Sequence, residues 1–181
     1  MKDSNFIERR KEYRLPYHDK VIFTDGNRSF TAYAVNISRG GIFATSLDPL
    51  PIDTQIHCAF LLPNQPKAFC VKARVAHIVF DRQRCEVECG MGLMFLELNE
   101  SQKSILNLHI LNEQSIYQEL KRLLADENPN ATEVQKRLKH LPYLQRYDLL
   151  GLRYKVNRIC TIFEPAPSVL ANESRSVKQA S

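Results

Sequence analysis

Residues 69–96 read FCVKARVAHIVFDRQRCEVECGMGLMFL, and their reading decides the fold. Val71, Ala73, Val75, His77 and Val79 alternate with Lys72 and Arg74, the period-two pattern of a strand with one buried side. A short polar turn at Asp81-Arg82 follows, and residues 84–96 return with similar alternation. The stretch is predicted to form a long antiparallel hairpin, 69–80 against 84–96. Cys85, Val87 and Cys89 alternate with Glu86 and Glu88, which assigns both thiols to the apolar face as small hydrophobes. His77, on the apolar face of the first strand, is expected to be a hydrogen-bonded core residue rather than a metal ligand.

Toward the N-terminus, residues 20–24, 30–37, 41–45 and 55–62 are rich in β-branched and aromatic side chains. Turn chemistry separates them, at Asp25-Gly26-Asn27, Asp48-Pro49 and Pro63-Asn64. About six short antiparallel strands in roughly eighty residues point to a small barrel, because closure removes exposed edges.

Toward the C-terminus the period changes after Leu98. Residues 99–113 carry Ile105, Leu108 and Leu111 at helical spacing, with no Gly or Pro. Ser115 followed by Gln118, and Thr132 followed by Gln135, have the form of capping boxes. They predict separate helices over 116–125 and 133–140, with Asp126-Glu127-Asn128-Pro129 as the break. A last helical stretch is predicted over 142–163, with Leu144, Tyr147, Leu150, Tyr154 and Ile159 available for a packed face. Residues 164–181, EPAPSVLANESRSVKQAS, contain no aromatic residue and are expected to be a disordered tail. The expected organisation is a flexible basic arm (1–15), a barrel with its following helix (16–114), a helical extension (115–163) and the tail.

The whole chain has 181 residues, is 44% hydrophobic, and carries a formal net charge of +5. That charge suits anionic partners without separating nucleic acid, nucleotide and acidic lipid. The longest apolar runs, 59–63 and 75–80, fall far short of the ~20 residues a spanning helix needs. The opening MKDSNFIERRKEYR lacks the apolar centre of a signal peptide, so the chain is expected to be cytoplasmic. Five cysteines at irregular spacing do not resemble a disulfide framework, and no CxxC pair supports a metal site. An enzyme is the weakest reading. Gly-rich phosphate loops with Lys-Ser/Thr, H-E-x-x-H and G-x-S-x-G are all missing. Cys58 follows His57, but neighbours in a strand face opposite sides, so no catalytic residue is assigned.

Two short patterns carry chemistry. Arg10-Lys11-Glu12-Tyr13-Arg14, preceded by Arg9, is an R-x-x-x-R arm before the first strand. Asn36-Ile37-Ser38-Arg39-Gly40-Gly41 is an N-x-S-x-x-G pattern between two strands. Arginine presents a planar donor fork that fits phosphate oxygens or the O6/N7 edge of guanine, and its plane stacks on purines. Arg10 and Arg14 point the same way in an extended arm and could straddle one flat ligand. Asn36 and Ser38 share a side, and two consecutive glycines allow positive φ and leave no Cβ to obstruct a ligand.

In this order and separation the motifs resemble the PilZ domain family, over roughly residues 7–113. Members share the R-x-x-x-R arm and a later [DN]-x-S-x-x-G motif on a six-stranded antiparallel barrel. Gly92-Leu93-Met94-Phe95 is similar to the family's usual close of that barrel. The resemblance implies a mainly β fold, a six-stranded PilZ-type β-barrel followed by C-terminal helices, and binding of cyclic di-GMP. Arg10 and Arg14 would grip guanine edges and phosphates. Asn36 and Ser38 would meet a guanine and the phosphate region, while Gly41 would permit close approach. Arg9, Arg39 and Gly40 are neighbouring candidates. No metal or further cofactor is implied. The partners expected are cyclic di-GMP and a protein of unknown identity, with the C-terminal helices offering a surface for self-association. Two alternatives remain open: a nucleic-acid-binding small β-barrel, and a protein-interaction adaptor without ligand.

Overall fold

In the computed structural model, residues 13–26, 28–63, 65–80 and 89–161 are described. Arg9, Arg10, Cys85 and the tail lie outside them. Seven strands come first: β1 (Leu15–Pro16), β2 (Lys20–Thr24), β3 (Ser29–Ser38), β4 (Gly41–Thr45), β5 (Gln55–Phe60), β6 (Phe69–Val79) and β7 (Gly90–Leu96). Three helices follow: α1 (Glu100–Leu124), α2 (Ala131–Leu138) and α3 (Leu149–Cys160). Neighbours run β3-β2-β5-β6-β7-β4, and β4 pairs back onto β3, closing a six-stranded antiparallel barrel with β1 outside it on β3.

The barrel interior follows from alternation. Val21, Phe23, Ile56, Cys58, Val71 and Met91 are each at most 5% exposed, while their neighbours Ile22, His57 and Lys72 face outward. Phe60 packs 5.2 Å from Phe69 and 6.0 Å from Phe95, so the Phe of Gly92-Leu93-Met94-Phe95 is a core ring. The β2–β3 hairpin turns where expected. Gly26 has φ +95° there, and Arg28 N donates to Asp25 Oδ1 at 2.9 Å.

Two β-bulges alter the faces read from the sequence. In β3 the register shifts between Ala34 and Asn36, which keeps both Ala34 and Ile37 inside. In β6 it shifts between Val75 and His77, with Ala76 as the extra residue. Val75 pairs with interior Leu93, but beyond the bulge Ile78 pairs with interior Met91, and His77 pairs with Gly92. His77 and Val79 therefore leave the face of Val71, Ala73 and Val75, and His77 is not a core residue. Cys89 precedes β7 and is half-exposed, outside the strand to which the alternation assigned it.

The helices differ from expectation at their ends. The capping box sits at Asn99 and Gln102: Gln102 N donates to Asn99 Oδ1 at 2.8 Å, and Asn99 N to Gln102 Oε1 at 2.9 Å. From there α1 runs unbroken through exposed Ser115, since neither Gly nor Pro interrupts it. Asn130, not Thr132, caps α2, accepting from Thr132 N and Glu133 N. The stretch over 142–163 divides into a 3-10 turn at Pro142–Leu144 and α3, because Asp148 caps a fresh start by accepting from Gly151 N at 2.8 Å. Leu152, Val156, Ile159 and Cys160 are the buried residues of α3; of the face predicted, Leu144 and Ile159 are buried, while Leu150 and Tyr154 are exposed.

The chain divides into two compact units, Met1–Leu111 and Asn112–Ser181, with the boundary inside α1. In the second unit Arg153 of α3 ends α1, its Nε donating to Leu124 O at 2.9 Å and its guanidinium also reaching Asp126 O at 2.5 Å. A positive group there complements the helix dipole. Arg137 of α2 pairs with Glu119 of α1 at 2.5 Å, around a core containing fully buried Tyr117 and Leu120.

Candidate nucleotide-binding groove

β1 brings the two sequence motifs together. Leu15 is 0% exposed and pairs with Ile37, while Pro16 pairs with Asn36. Pro16 lacks an N–H, which suits an outermost strand. Tyr17 reinforces this seating: its N donates to Val35 O at 2.9 Å, its hydroxyl donates to Leu61 O, and its ring lies 5.9 Å from Phe60. Arg14, just before Leu15, and Ser38, just after Ile37, come to line the same groove.

A groove of about 330 Å³ opens there on the outer side of the barrel, lined by Arg14, Ser38, Gly40, Gly41, Ile42, Ala76, His77, Gly92, Leu93 and Met94. Four of the expected site residues, Arg14, Ser38, Gly40 and Gly41, thus converge on one depression. Ser38 is 6% exposed, and its hydroxyl donates to Gly41 O at 3.3 Å. Asn36 pairs with Phe43 on the outer side but is not among the lining residues. Arg39 lines a different depression, with Leu98, Lys103, Leu106 and Asn107. Arg9 and Arg10 lie outside the described residues.

The paired glycines serve two purposes, and neither is positive φ, which among glycines occurs at Gly26. A Cβ on Gly41 would stand 2.2 Å from Leu93 O, so this glycine admits the close approach of β4 to β7. A Cβ on Gly40 would meet nothing within 4 Å, so the bare backbone there leaves the groove open.

Ile42, Ala76, His77, Gly92, Leu93 and Met94 also line the groove without having been expected there, and His77 was placed on the wrong side because alternation without the bulge sends it inward. Its ring lies 6.0 Å from that of Phe43 at 26° between planes. Cys58 is unsuited to nucleophilic work: burial pushes its thiol up to about 12, and His57 faces outward opposite Lys72. Among the described residues no cluster of three or more His, Cys, Asp or Glu is arranged to hold a metal ion, and no helix is long and apolar enough to cross a membrane.

A closed antiparallel barrel, an outer strand delivering an arginine, and a serine-glycine turn define a small barrel with a cationic, glycine-floored groove. The PilZ domain profile matches residues 8–112, and the chain belongs to that family. Among solved structures, the inhibitor of motility MotI/DgrA of Bacillus subtilis is similar at 22% identity and a TM-score of 0.50, over 60% of this chain and 52% of that one. MrkH of K. pneumonia, solved as a complex with c-di-GMP, is similar at 16% identity and a TM-score of 0.51, over 64% of this chain and 56% of that one. These likenesses bear on the fold, and the chain spans little more than half the length of either protein. A sequence search of curated proteins finds no match.

Proposed function

We propose that the chain is a non-enzymatic cytoplasmic receptor for cyclic di-GMP, holding the dinucleotide in the groove between Arg14 and the Ser38–Gly41 turn. The observation that carries this reading is the β1–β3 register, which sets an arginine of the arm beside the N-x-S-x-x-G turn. The guanidinium supplies charge and a flat donor fork, Ser38 a hydroxyl, and Gly40 space against the backbone. Arg10, four residues before Arg14, adds a second fork and Arg9 a further donor of the arm, while Asn36 and Arg39, which do not line the groove, contribute from its surroundings. Ligand held against the arm forms a surface that is read by a protein partner.

Isothermal titration with cyclic di-GMP, using cyclic di-AMP as control, tests the reading. Guanine offers O6 and N7 acceptors where adenine substitutes a donor, and a wrong base costs about 1–3 kcal/mol per bidentate contact. Saturable binding with a clear preference for the guanine dinucleotide is expected. Equal affinity for the two would refute the guanine readout. Binding only to nucleic acid, with steep salt dependence, would favour the nucleic-acid alternative.

A further inference from the structure

His77 is held with more structure than a surface histidine needs. The bulge at Ala76 gives β6 an extra residue, which turns His77 to the groove side; bulges re-aim side chains in this way. Its register partner Gly92 has no side chain, and a Cβ there would stand 1.8 Å from His77 Cε1 and 2.3 Å from Nδ1. The imidazole thus occupies the space that any other residue at position 92 would fill. Phe43 pairs with Gly92 from the opposite strand and stacks on the same imidazole, with centroids 6.0 Å apart. Two aromatic rings lean together over a glycine, and one of them lines the groove that Arg14 also lines.

We propose that His77 is a base-stacking residue of this groove, its imidazole receiving a guanine face of the dinucleotide while Phe43 backs it. The proposal rests on the cyclic di-GMP reading and assigns a part of the site that neither motif contains. The spacing of 6.0 Å is too narrow for a base to enter between the rings, since two stacking gaps need about 7 Å at ordinary carbon contact distances. The base therefore stacks on the imidazole away from Phe43, and Phe43 keeps the ring from yielding. Stacking is tolerant of base identity, because every base has a π-face. His77 therefore adds affinity, while discrimination between guanine and adenine stays with the arginine forks.

The test compares unsubstituted protein, His77→Ala and His77→Phe by titration with cyclic di-GMP and cyclic di-AMP. His77→Ala should weaken both dinucleotides by roughly ten- to a hundredfold, as loss of a stacking ring does, with their ratio unchanged. His77→Phe should retain most of the affinity. In the unsubstituted protein the His77 ring protons should move upfield on binding, the ring-current signature of a stacked base, which a purely structural histidine would not show. Binding by His77→Ala equal to that of the unsubstituted chain would overturn the stacking role alone. If His77→Ala does not fold, an unmoved His77 ring signal at saturation would overturn it equally. Failure of the unsubstituted chain to bind either dinucleotide would overturn this role together with the receptor reading.

Discussion

Arg14 and Leu15 are adjacent, yet one is half-buried at the groove and the other is 0% exposed in the barrel. Substituting them should therefore separate ligand contact from stability. Arg14→Ala should lose most cyclic di-GMP binding and shift the ligand-free melting temperature by no more than a few degrees, as substitutions away from a core do. A variant that instead unfolds would mark the arginine as structural. The two glycines make a second contrast. Gly41→Ala should destabilise the fold because Leu93 O would be 2.2 Å from the new methyl, whereas Gly40→Ala should melt as before and bind ligand more weakly. Equal melting of the two variants would contradict this. In the helical unit, burial pushes the Glu113 carboxyl up to about 7. A raised acid is more protonated folded than unfolded, so stability is intact below the ordinary carboxylate range and is lost as pH rises through about 7. His109, pushed down by burial to about 4, acts in reverse: its contribution is intact above the ordinary imidazole value and is lost as pH falls. The two offset each other in the intact chain. Urea unfolding of Glu113→Gln should show a gain over the unsubstituted protein that grows from about pH 5 to pH 8, up to roughly 3 kcal/mol; a constant gain would contradict the burial account.

At the scale of elements, β1 matters most for its size. Two residues anchor the arm, and Leu15 supplies the apolar burial that holds them. Leu15→Ala should cost about 2–5 kcal/mol as a large-to-small core change, and should weaken ligand binding as well, since Arg14 is registered by it. Retained affinity in a destabilised Leu15→Ala protein would show that Arg14 finds the groove without β1. The six barrel strands were legible in the sequence because alternation and turn residues mark them, and so were Arg14 and Ser38, which line one groove. β1 was not, because two residues carry no period. The bulge at Ala76 was not legible either. An inserted residue inverts every later face, yet the run VAHIV looks equally apolar in both registers, so His77 was assigned to the wrong side. The helix starts were misplaced for a related reason: S-x-x-Q and T-x-x-Q have the form of caps, but a cap needs a chain entering from outside a helix. Asn99 and Asn130 meet that condition, and Ser115, inside α1, does not.

At the scale of the whole molecule, ligand binding should be felt first where arm and barrel meet. Hydrogen exchange with saturating cyclic di-GMP should add protection over residues 9–15 and 36–41, with smaller changes over 115–163. Protection confined to the helices would place the ligand elsewhere. The seam between β4 and β7 has a further consequence. It joins Gly41 to Met94 and Thr45 to Gly90, the pairing of longest range among the described strands, and it carries Gly41, Ile42 and Gly92 of the groove. Contacts so distant along the chain are costly to close and tend to form late. A half-folded barrel would then have no groove to offer. The dinucleotide should leave the refolding rate almost untouched and act as a brake on unfolding alone, in proportion to occupancy, so that the signal lengthens the lifetime of its own receptor.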